Sequence, residues 1–395
     1  MKESPSISLI TGGKDKHYSS GLAAALVAAG ARIDFIGSDE VDAPELHGHP
    51  QVTFMNLRGE QSVNAGLVKK MSRVLLYYLR LLRYAATAKP KIFHVLWNNK
   101  FETIDRTFLL LYYRLFGKKI VFTAHNINAG VRDATDSFFN RLTLKIQYHL
   151  CAHIFVHTQK MKDELVQEYG VKPKNISVIP LGFYGTVPNT QLAPAEARKK
   201  LGLSPREKTV LFFGNIAPYK GVEFLVTAFT QLAKNDETYR LIIAGRPKGP
   251  PEYWASLRVQ IDASGVKHRI LENIEFIADE DIEVYFKAGD VLVQPYTHIF
   301  QSGVLILGYS FGIPVIAADV GSLKEDVIEG QTGFIFPPGN ADELRNVMEK
   351  FFAGDLYRQL DRTRPAIRAH AEEQYSWSKV ARVTMEVYSG LLAPR

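Results

Sequence analysis

The sequence predicts an α/β protein with two Rossmann-like domains in tandem, and three observations lead to this class. The chain has 395 residues, whereas a single hydrophobic core usually stops growing at roughly 250–300 residues. Short apolar runs alternate with longer helical patterns in both halves, as is typical of β-α-β units and parallel sheets. The composition, with 46% hydrophobic and 23% charged residues, is that of a chain that packs a core.

Six candidate strands fall in each half of the chain. Those of the first half are 6–10, 32–36, 92–96, 119–123, 154–157 and 176–179. Those of the second half are 209–213, 239–244, 274–276, 291–294, 314–317 and 333–335. The proline-rich segment 184–206 between them is typical of a linker. We therefore expect one domain over 1–186, a second over 187–372, and a terminal helix within 373–395 that packs back across the domain junction.

Charge and cysteine content restrict the partners and the compartment. A formal net charge of +7 indicates attraction to a nucleotide, a polyphosphate, a nucleic acid or an acidic lipid surface. Aromatic and basic residues form no recognised nucleic-acid module, so nucleic acid is not an expected partner. The single cysteine, Cys151, excludes an intrachain disulfide and a cysteine zinc cluster. We expect a cytoplasmic protein.

Two loops of the second half have the features of an anion site. Segment 214–221, Gly-Asn-Ile-Ala-Pro-Tyr-Lys-Gly, joins a strand to a helix, which brings its backbone amides and Lys220 near an anion. Segment 301–304, Gln-Ser-Gly-Val, opens an apolar helix whose first amides lack partners within the helix. Either loop alone can be an ordinary glycine-containing connection, but two of them in one domain favour a diphosphate.

The remaining candidates are weaker. Gly12 and Gly13 precede a helix but lack the G-x-G-x-x-G spacing of dinucleotide sites. His125 follows a strand, where it is expected either to donate a hydrogen bond to a sugar hydroxyl or an acceptor, or to bond the backbone. Packing is the favoured role for His94 and His157, which lie within apolar strands. The carboxylate run 279–281 is interpreted as the start of a helix over 282–287, and no metal site is expected.

The second half resembles the retaining, metal-independent nucleotide-sugar glycosyltransferases of the family numbered four, which have the GT-B fold. The matching stretches are FFGNIAPYKGVEFLVTAF, RLIIAG, FIADEDIEVYFKAGDVLVQP, FGIPVIAADVGSLKEDV and GQTGFIFPPGNADEL, in the family's order and spacing. The first half matches more loosely, at 12–13, 123–125 and 178–182. This resemblance implies an acceptor-side first domain and a nucleotide-sugar-binding second domain, facing each other across a cleft.

The resemblance also implies roles for particular residues. His125 and Lys220 would be catalytic, and the nucleotide-sugar would be a co-substrate with no further cofactor. The base would lie near Gly245-Arg246 and Phe276-Ile277. The donor-binding residues implied in this way are Gly12, Gly13, Gly214, Asn215, Lys220, Gly245, Arg246, Ile277, Gln301, Ser302, Gly303 and Val304.

Three positions depart from the family's pattern. Asn215 stands where the family has a phosphate-binding arginine, and Ile299 and Leu307 stand where it has paired glutamates for the donor sugar and ribose. A subgroup with Q-S-G-V-L at this place is similar to the present chain. The change is therefore interpreted as divergence within the family.

The function expected is transfer of a sugar from a UDP- or GDP-sugar to a saccharide or lipid-linked saccharide, with retention of configuration, in polysaccharide or glycolipid synthesis. Two alternatives stay open. One is a nucleotide-sugar epimerase of the same fold, for which paired carboxylates would be expected. The other is an inactive homologue that binds the sugar nucleotide.

A membrane surface is a further candidate partner. Segment 67–84 is predicted to be a helix with Lys69, Arg73, Arg80 and Arg83 on one face and apolar residues opposite. The apolar face is expected to pack on a sheet, and the basic face alone could attract anionic lipid. Segment 108–116 adds a second apolar stretch. Peripheral contact with the inner face of the membrane is therefore an open alternative to a purely cytoplasmic location.

Overall fold

The structure is a computed structural model, and it describes residues 4–60, 66–132, 135–182 and 187–393. The chain divides into two units. The first comprises 1–182 and 375–395, and the second comprises 183–374. The predicted boundary between residues 186 and 187 adjoins segment 183–186, which lies outside the described residues.

The first unit contains a sheet of seven parallel strands. They are β1 (Ser6–Ile10), β2 (Arg32–Gly37), β3 (Val52–Asn56), β4 (Ile92–Val95), β5 (Lys119–Ala124), β6 (His153–Val156) and β7 (Ile176–Val178). Their order is β3-β2-β1-β4-β5-β6-β7. The six strands predicted for this half are confirmed to within one residue at each end. The edge strand β3 is not among them, because its partly exposed residues form no continuous apolar run.

Among the described residues, seven helices of the first unit connect these strands. They are α1 (Lys16–Ala28), α2 (Leu67–Thr87), α3 (Glu102–Ile104), α4 (Leu110–Leu115), α5 (Ala129–Arg132), α6 (Phe138–Leu150) and α7 (Gln159–Gln167). A π-helical turn, Asp105–Leu109, joins α3 to α4. The α1 helix begins after Asp15, whose side chain accepts a hydrogen bond from the Tyr18 amide and so caps the helix.

The second unit contains a sheet of six parallel strands. They are β8 (Lys208–Phe213), β9 (Tyr239–Ala244), β10 (Ile270–Asn273), β11 (Val291–Gln294), β12 (Val315–Ala318) and β13 (Gly333–Phe336), and their order is β10-β9-β8-β11-β12-β13. Five predicted strands are confirmed, but the strand predicted at 274–276 is wrong. The chain pairs with β9 through 270–273 instead, and Phe276 is exposed in the loop beyond.

In the described part of the second unit, nine helices complete the structure. They are α8 (Pro194–Lys200), α9 (Val222–Asn235), α10 (Pro251–Ala263), α11 (Asp279–Ala288), α12 (Gly303–Ser310), α13 (Leu323–Asp326), α14 (Ala341–Ala353), α15 (Asp355–Arg358) and α16 (Leu360–Tyr375). The carboxylate run 279–281 forms the first turn of α11, as predicted, where it complements the helix dipole.

The last helix, α17 (Trp377–Leu392), belongs to the first unit, where it packs on α1. The terminal helix expected within 373–395 runs from Trp377 to Leu392, because the extended backbone of Ser376 separates it from α16 and the Ser376 side chain caps it. Trp377 lies so close to Gly21 that a Cβ there would stand 2.6 Å from the indole. Tyr388 of the same helix bonds to His94 Nδ1 at 2.6 Å.

Candidate functional site

The two predicted anion loops of the second unit lie side by side. Strands β8 and β11 are neighbours at the point where the strand order reverses, which is where parallel sheets bind ligands. Gly214 follows β8, and a Cβ on it would stand 3.4 Å from Cγ2 of Val304 in α12. The Thr297 amide, in the loop after β11, donates to the Tyr219 carbonyl at 2.9 Å. The loops therefore form one surface at the carboxyl ends of two strands.

Two glycines allow this close packing of backbone on backbone. Gly221 has φ of +60°, and a Cβ there would stand 2.1 Å from the carbonyl oxygen of Pro295. Gly245 has φ of +140°, and its Cβ would stand 1.9 Å from the carbonyl oxygen of Gly214. No side chain fits at either position without moving the backbone of the neighbouring loop. These glycines thus fix the shape of the site rather than leave room for a ligand.

Most of the first loop's amides are already used inside the protein. The Gly214 amide donates to the Ala244 carbonyl and the Ile216 amide to the Arg246 carbonyl, both at 2.9 Å. The Lys220 and Gly221 amides donate to the Ala217 and Pro218 carbonyls, at 2.8 and 3.1 Å. The next amide, that of Val222 at the start of α9, donates to the Tyr253 hydroxyl at 3.2 Å. The prediction that this loop offers its backbone amides to an anion is therefore wrong for its four groups at Gly214, Ile216, Lys220 and Gly221. The positive charge of the loop is on the side chain of Lys220.

Lys220 is held in place by aromatic rings. Its side chain is buried, and Nζ lies 3.7 Å from the ring centroid of Tyr296 and 5.4 Å from that of Tyr219. Such cation–π contacts are worth roughly 0.5–2 kcal/mol. Tyr296, which is fully buried, lies in the loop that leads into α12. The ammonium therefore contacts a ring of its own loop, Tyr219, and a ring of the loop that leads into α12, Tyr296.

The second loop supplies the positive end of a helix. Ser302 precedes α12, and its hydroxyl accepts from the Leu305 amide at 3.3 Å. The amides of Gly303 and Val304, in the first turn, have no acceptor within the helix, so they give this end a partial positive charge. The predicted start of a helix at this loop is confirmed, and its binding of an anion stays a prediction.

Two polar atoms beside this helix end have no hydrogen-bond partner among the described residues. They are Oε1 of Gln301 and Nε2 of His298, and both are buried. Leu307, one of the positions that departs from the family's pattern, is buried in α12. The polar groups near the departing positions are therefore His298 and Gln301. Sequence reasoning missed His298 as a site residue. Its signal in the sequence was a polar residue within a largely apolar run.

Arg246 and Phe276 lie beyond the ends of β9 and β10. The guanidinium carbon of Arg246 lies 5.5 Å from the ring centroid of Phe276, and both side chains are exposed while Ile277 is buried. Among the residues predicted to be near a base, Arg246 and Phe276 thus present accessible side chains. Asn215, in the first loop, is half-buried.

In the first unit, Gly12 and Gly13 form a tight turn at the end of β1. Their φ angles are +61° and +65°, and a Cβ on Gly12 would stand 2.8 Å from the carbonyl oxygen of Trp97. The Thr11 hydroxyl donates to the Ile36 carbonyl at 2.9 Å and accepts from the Gly13 amide at 3.1 Å. The turn is therefore closed against the end of β4.

His125 lies in an aromatic box in the first unit. Its ring stacks on Trp97, with the centroids 4.2 Å apart and the planes 4° from parallel, and meets the edge of Tyr18 at 4.7 Å. Its Nδ1 lies 3.0 Å from Nε2 of His157, whose Nδ1 lies 3.2 Å from the Ile179 carbonyl oxygen. Sequence reasoning missed Trp97 and assigned His157 to packing alone.

These contacts determine where the protons are. A carbonyl can only accept, so His157 carries its proton on Nδ1 and accepts on Nε2. His125 must then donate from Nδ1, which leaves a lone pair on Nε2, a buried atom with no partner among the described residues. Burial, followed by the charges of His157 and His94, holds the pKa of His125 well below its usual value. His125 is thus a neutral hydrogen-bond acceptor, which corrects the predicted donor role.

His94 has the packing role predicted for it. It is buried, its Nε2 lies 2.7 Å from the Thr123 hydroxyl, and burial lowers its pKa to about 3. Within the described ranges, no group of three or more His, Cys, Asp or Glu side chains is arranged to hold a metal ion. None of the described helices is both long and apolar enough to cross a bilayer.

Two family models match this chain. "Glycosyl transferases group 1" matches residues 207–353 and "Glycosyltransferase Family 4" matches residues 17–183. A D-inositol 3-phosphate glycosyltransferase of Corynebacterium efficiens is 28% identical over 290 residues. That match covers 68% of this chain and 65% of the relative, so it spans slightly less than two thirds of the relative's length.

Solved structures share the fold over nearly the whole chain. A sucrose-phosphate synthase from Thermosynechococcus elongatus has a TM-score of 0.75 and 20% identity, covering 98% of this chain and 99% of that one. HepE from Anabaena, in complex with UDP-glucose, has a TM-score of 0.74 and 18% identity, also covering 98% and 99%. At these identities the similarity establishes the two-domain GT-B architecture.

Proposed function

Since the chain belongs to the GT-B glycosyltransferases that these two models describe, we propose that it moves a sugar from a nucleoside diphosphate donor to a saccharide or lipid-linked saccharide. The observation that carries this proposal is that the loop of Lys220 lies beside the loop that leads into α12, at the strand-order reversal of the second unit. One ammonium and one helix end side by side suit the two phosphates of a diphosphate. The HepE complex, which contains UDP-glucose, supports a UDP-sugar, and a GDP-sugar is the other donor considered.

In the proposed complex each part of the donor has a place in the second unit. The diphosphate lies between Lys220 and the amides of Gly303 and Val304. The base stacks near Arg246 and Phe276, at the ends of β9 and β10. Hydroxyls of the donor sugar bond to Gln301 and His298, whose buried polar atoms have no partner among the described residues.

The proposed chemistry depends on stabilising the leaving group. Glycosyl transfer passes through an oxocarbenium-like state in which negative charge accumulates on the departing diphosphate. A fixed ammonium and preoriented amides bind that charge more tightly than the ground state, which lowers the barrier. We propose that this happens with retention of configuration and without a metal ion. On the side of the acceptor substrate, His125 would accept a hydrogen bond from a sugar hydroxyl. The proposed location of the protein is the cytoplasm.

One experiment tests the donor assignment and separates the alternatives. The protein is incubated with UDP-, GDP- and ADP-sugars, and melting temperature and nucleoside diphosphate release are measured. A ligand at a hundred times its Kd stabilises the folded state by about 2.7 kcal/mol. Stabilisation with release supports a transferase, whereas stabilisation without release, across saccharide acceptors, supports an inactive binding homologue. Interconversion of UDP-sugars without net transfer would support an epimerase, and no stabilisation by any donor would refute the proposal.

Two additional measurements test its finer parts. Activity that survives a chelator such as EDTA is the result expected for metal-independent transfer. Proton NMR of the first-formed product gives the anomeric configuration, and inversion relative to the donor would contradict retention.

A further inference from the structure

Exposed apolar side chains are concentrated in one part of the first unit. Of the nineteen large hydrophobic residues exposed among the described residues, fifteen lie between residues 68 and 142. Single exposed hydrophobic residues are common on proteins and need no explanation, whereas a contiguous set marks an interaction surface. Three neighbouring helical segments contribute to this set.

The first segment is α2. Tyr77, Leu81 and Ala85 form its buried face, so the prediction that the whole apolar face packs on the sheet is wrong. A second apolar stripe is exposed instead, and Met71 within it is 65% exposed. The stripe follows helical spacing and consists of Val68, Met71, Leu75 and Leu79. On the wheel it adjoins the basic face predicted from the sequence, and Lys69, Arg80 and Arg83 of that face are exposed.

The second segment runs from α3 through the π-helical turn to α4. Its exposed stripe repeats every three or four residues, and consists of Phe101, Ile104, Phe108, Leu111 and Leu115, with Phe108 72% and Leu115 83% exposed. This segment lies against α2, since the Tyr78 hydroxyl donates to Asp105 at 2.9 Å and the Tyr112 hydroxyl donates to the Leu82 carbonyl at 3.3 Å. The two stripes therefore lie on neighbouring helices.

The third segment is the beginning of α6. Its exposed residues are Phe138, Phe139 and Leu142, and Phe138 is 83% exposed. Arg106 of the π-helical turn donates to the Asn140 side chain at 2.7 Å, which fixes α6 beside the second segment. We refer to the three stripes together as the apolar surface.

The charge around the apolar surface identifies its partner. Residues 68–145 contain fifteen Lys and Arg and four Asp and Glu, a formal net charge of +11, against +7 for the whole chain. Two of the four acidic residues bond to arginines of the same region, Glu102 to Arg106 and Asp136 to Arg141, and Asp105 is buried. A second copy of the chain would bring an equally positive surface into contact, which like-charge repulsion opposes.

We propose that the apolar surface and its surrounding basic residues dock the protein on an anionic lipid bilayer. The stripes would lie in the interface between headgroups and acyl chains, and the basic residues would meet the anionic headgroups. With no described helix able to span a bilayer, the binding would be peripheral. A lipid-linked acceptor suits such docking. This statement about the acceptor rests on the proposed function, whereas the proposed binding to lipid does not.

The test is co-flotation of the full chain with vesicles, and it requires neither donor nor acceptor. Vesicles of phosphatidylcholine with phosphatidylglycerol are compared with phosphatidylcholine alone, at low and high salt. The variant Leu75→Asp/Phe108→Asp changes two exposed residues of the apolar surface. Val259→Asp, which changes a residue of the second unit that is 68% exposed, is the matched control. Melting curves establish that each variant is folded.

The wild type and the control are expected to float with anionic vesicles, and the double variant is expected to lose roughly tenfold or more in partition. Salt should weaken the binding. The proposal is overturned if the wild type does not bind anionic vesicles or if the double variant binds as well as the wild type. It is also overturned if sedimentation shows a stable dimer that the double variant dissociates. Loss of donor-dependent activity with vesicle binding intact would count against the proposed function alone.

Discussion

Replacing Lys220 by methionine tests the diphosphate assignment most directly. Methionine keeps the length and the apolar character of the lysine stem, so the buried position stays filled, but it removes the ammonium. In the proposed complex the ammonium makes charge-assisted hydrogen bonds to phosphate oxygens. Hydrogen bonds to charged groups contribute about 1.5–3 kcal/mol. That range corresponds to a loss of roughly 10- to 150-fold in affinity.

Titration calorimetry with UDP and GDP is the appropriate assay, because it measures diphosphate binding without an acceptor. Lys248→Met is the matched control. Lys248 is an exposed lysine of the neighbouring loop, and its backbone amide, which the substitution keeps, donates to the Ile216 carbonyl at 2.8 Å. Removing this surface charge should change the affinity by less than about threefold. Equal Kd values for the wild type and Lys220→Met, with binding established for the wild type, would refute the assignment of Lys220 to the diphosphate.

Three other predictions concern the positioning of the site and the stability of the chain. In His157→Phe the Nδ1 proton of His125 loses its acceptor, so nitrogen NMR should show that the proton has moved to Nε2. If His125 of the wild type is already protonated on Nε2, the assigned tautomer is wrong. Gly221→Ala should lower the free energy of unfolding by roughly 1–3 kcal/mol more than Gly48→Ala does. Both glycines have positive φ, but of the two Gly221 alone faces a backbone oxygen. Equal shifts in melting temperature for the two variants would contradict this prediction. His94 has a pKa of about 3 in the folded protein against 6.5 for an ordinary histidine, so its contribution to the free energy of unfolding is complete above pH 6.5 and is lost as the pH falls from 6.5 to about 3. Within that range the free energy of unfolding changes by about 1.4 kcal/mol per pH unit because of His94. Chemical denaturation of His94→Gln at several pH values should therefore give a pH dependence smaller by that amount, and an unchanged pH dependence would contradict the prediction.

The parallel sheets were predictable because buried strands are continuous apolar runs bounded by breakers. Eleven strands follow from such runs, and the two failures share a physical cause. Strand β3 lies at the edge of its sheet with partly exposed residues, and β10, also an edge strand, has two apolar residues followed by Glu272 and Asn273. In both cases pairing with a neighbouring strand, rather than local composition, determines the structure.

The candidate site was predictable only in part. The order strand, glycine, helix identified the Lys220 loop and the amino end of α12, because these features are local in sequence. The use of the first loop's amides by Ala244, Arg246 and Tyr253 was not predictable, since the partners lie 30 or so positions away and follow from packing. The tautomer of His125 is likewise determined by His157 and Ile179, which reach it only through the neighbouring strand β6 and the end of β7.

The departures from the family's pattern acquire a physical meaning from these contacts. An asparagine at 215 cannot neutralise charge, and four amides of its loop are already bonded, so Lys220 is the main positive group that this loop can offer a diphosphate. The rest of the stabilisation must come from α12, whose body is buried from Leu305 to Ser310 and therefore rigid. A helix end held in this way needs no reorganisation when charge develops on the leaving group, which is the condition under which fixed dipoles are most effective. The burial of Leu307, where a carboxylate would stand in the family's pattern, thus contributes to the rigidity on which the proposed mechanism depends.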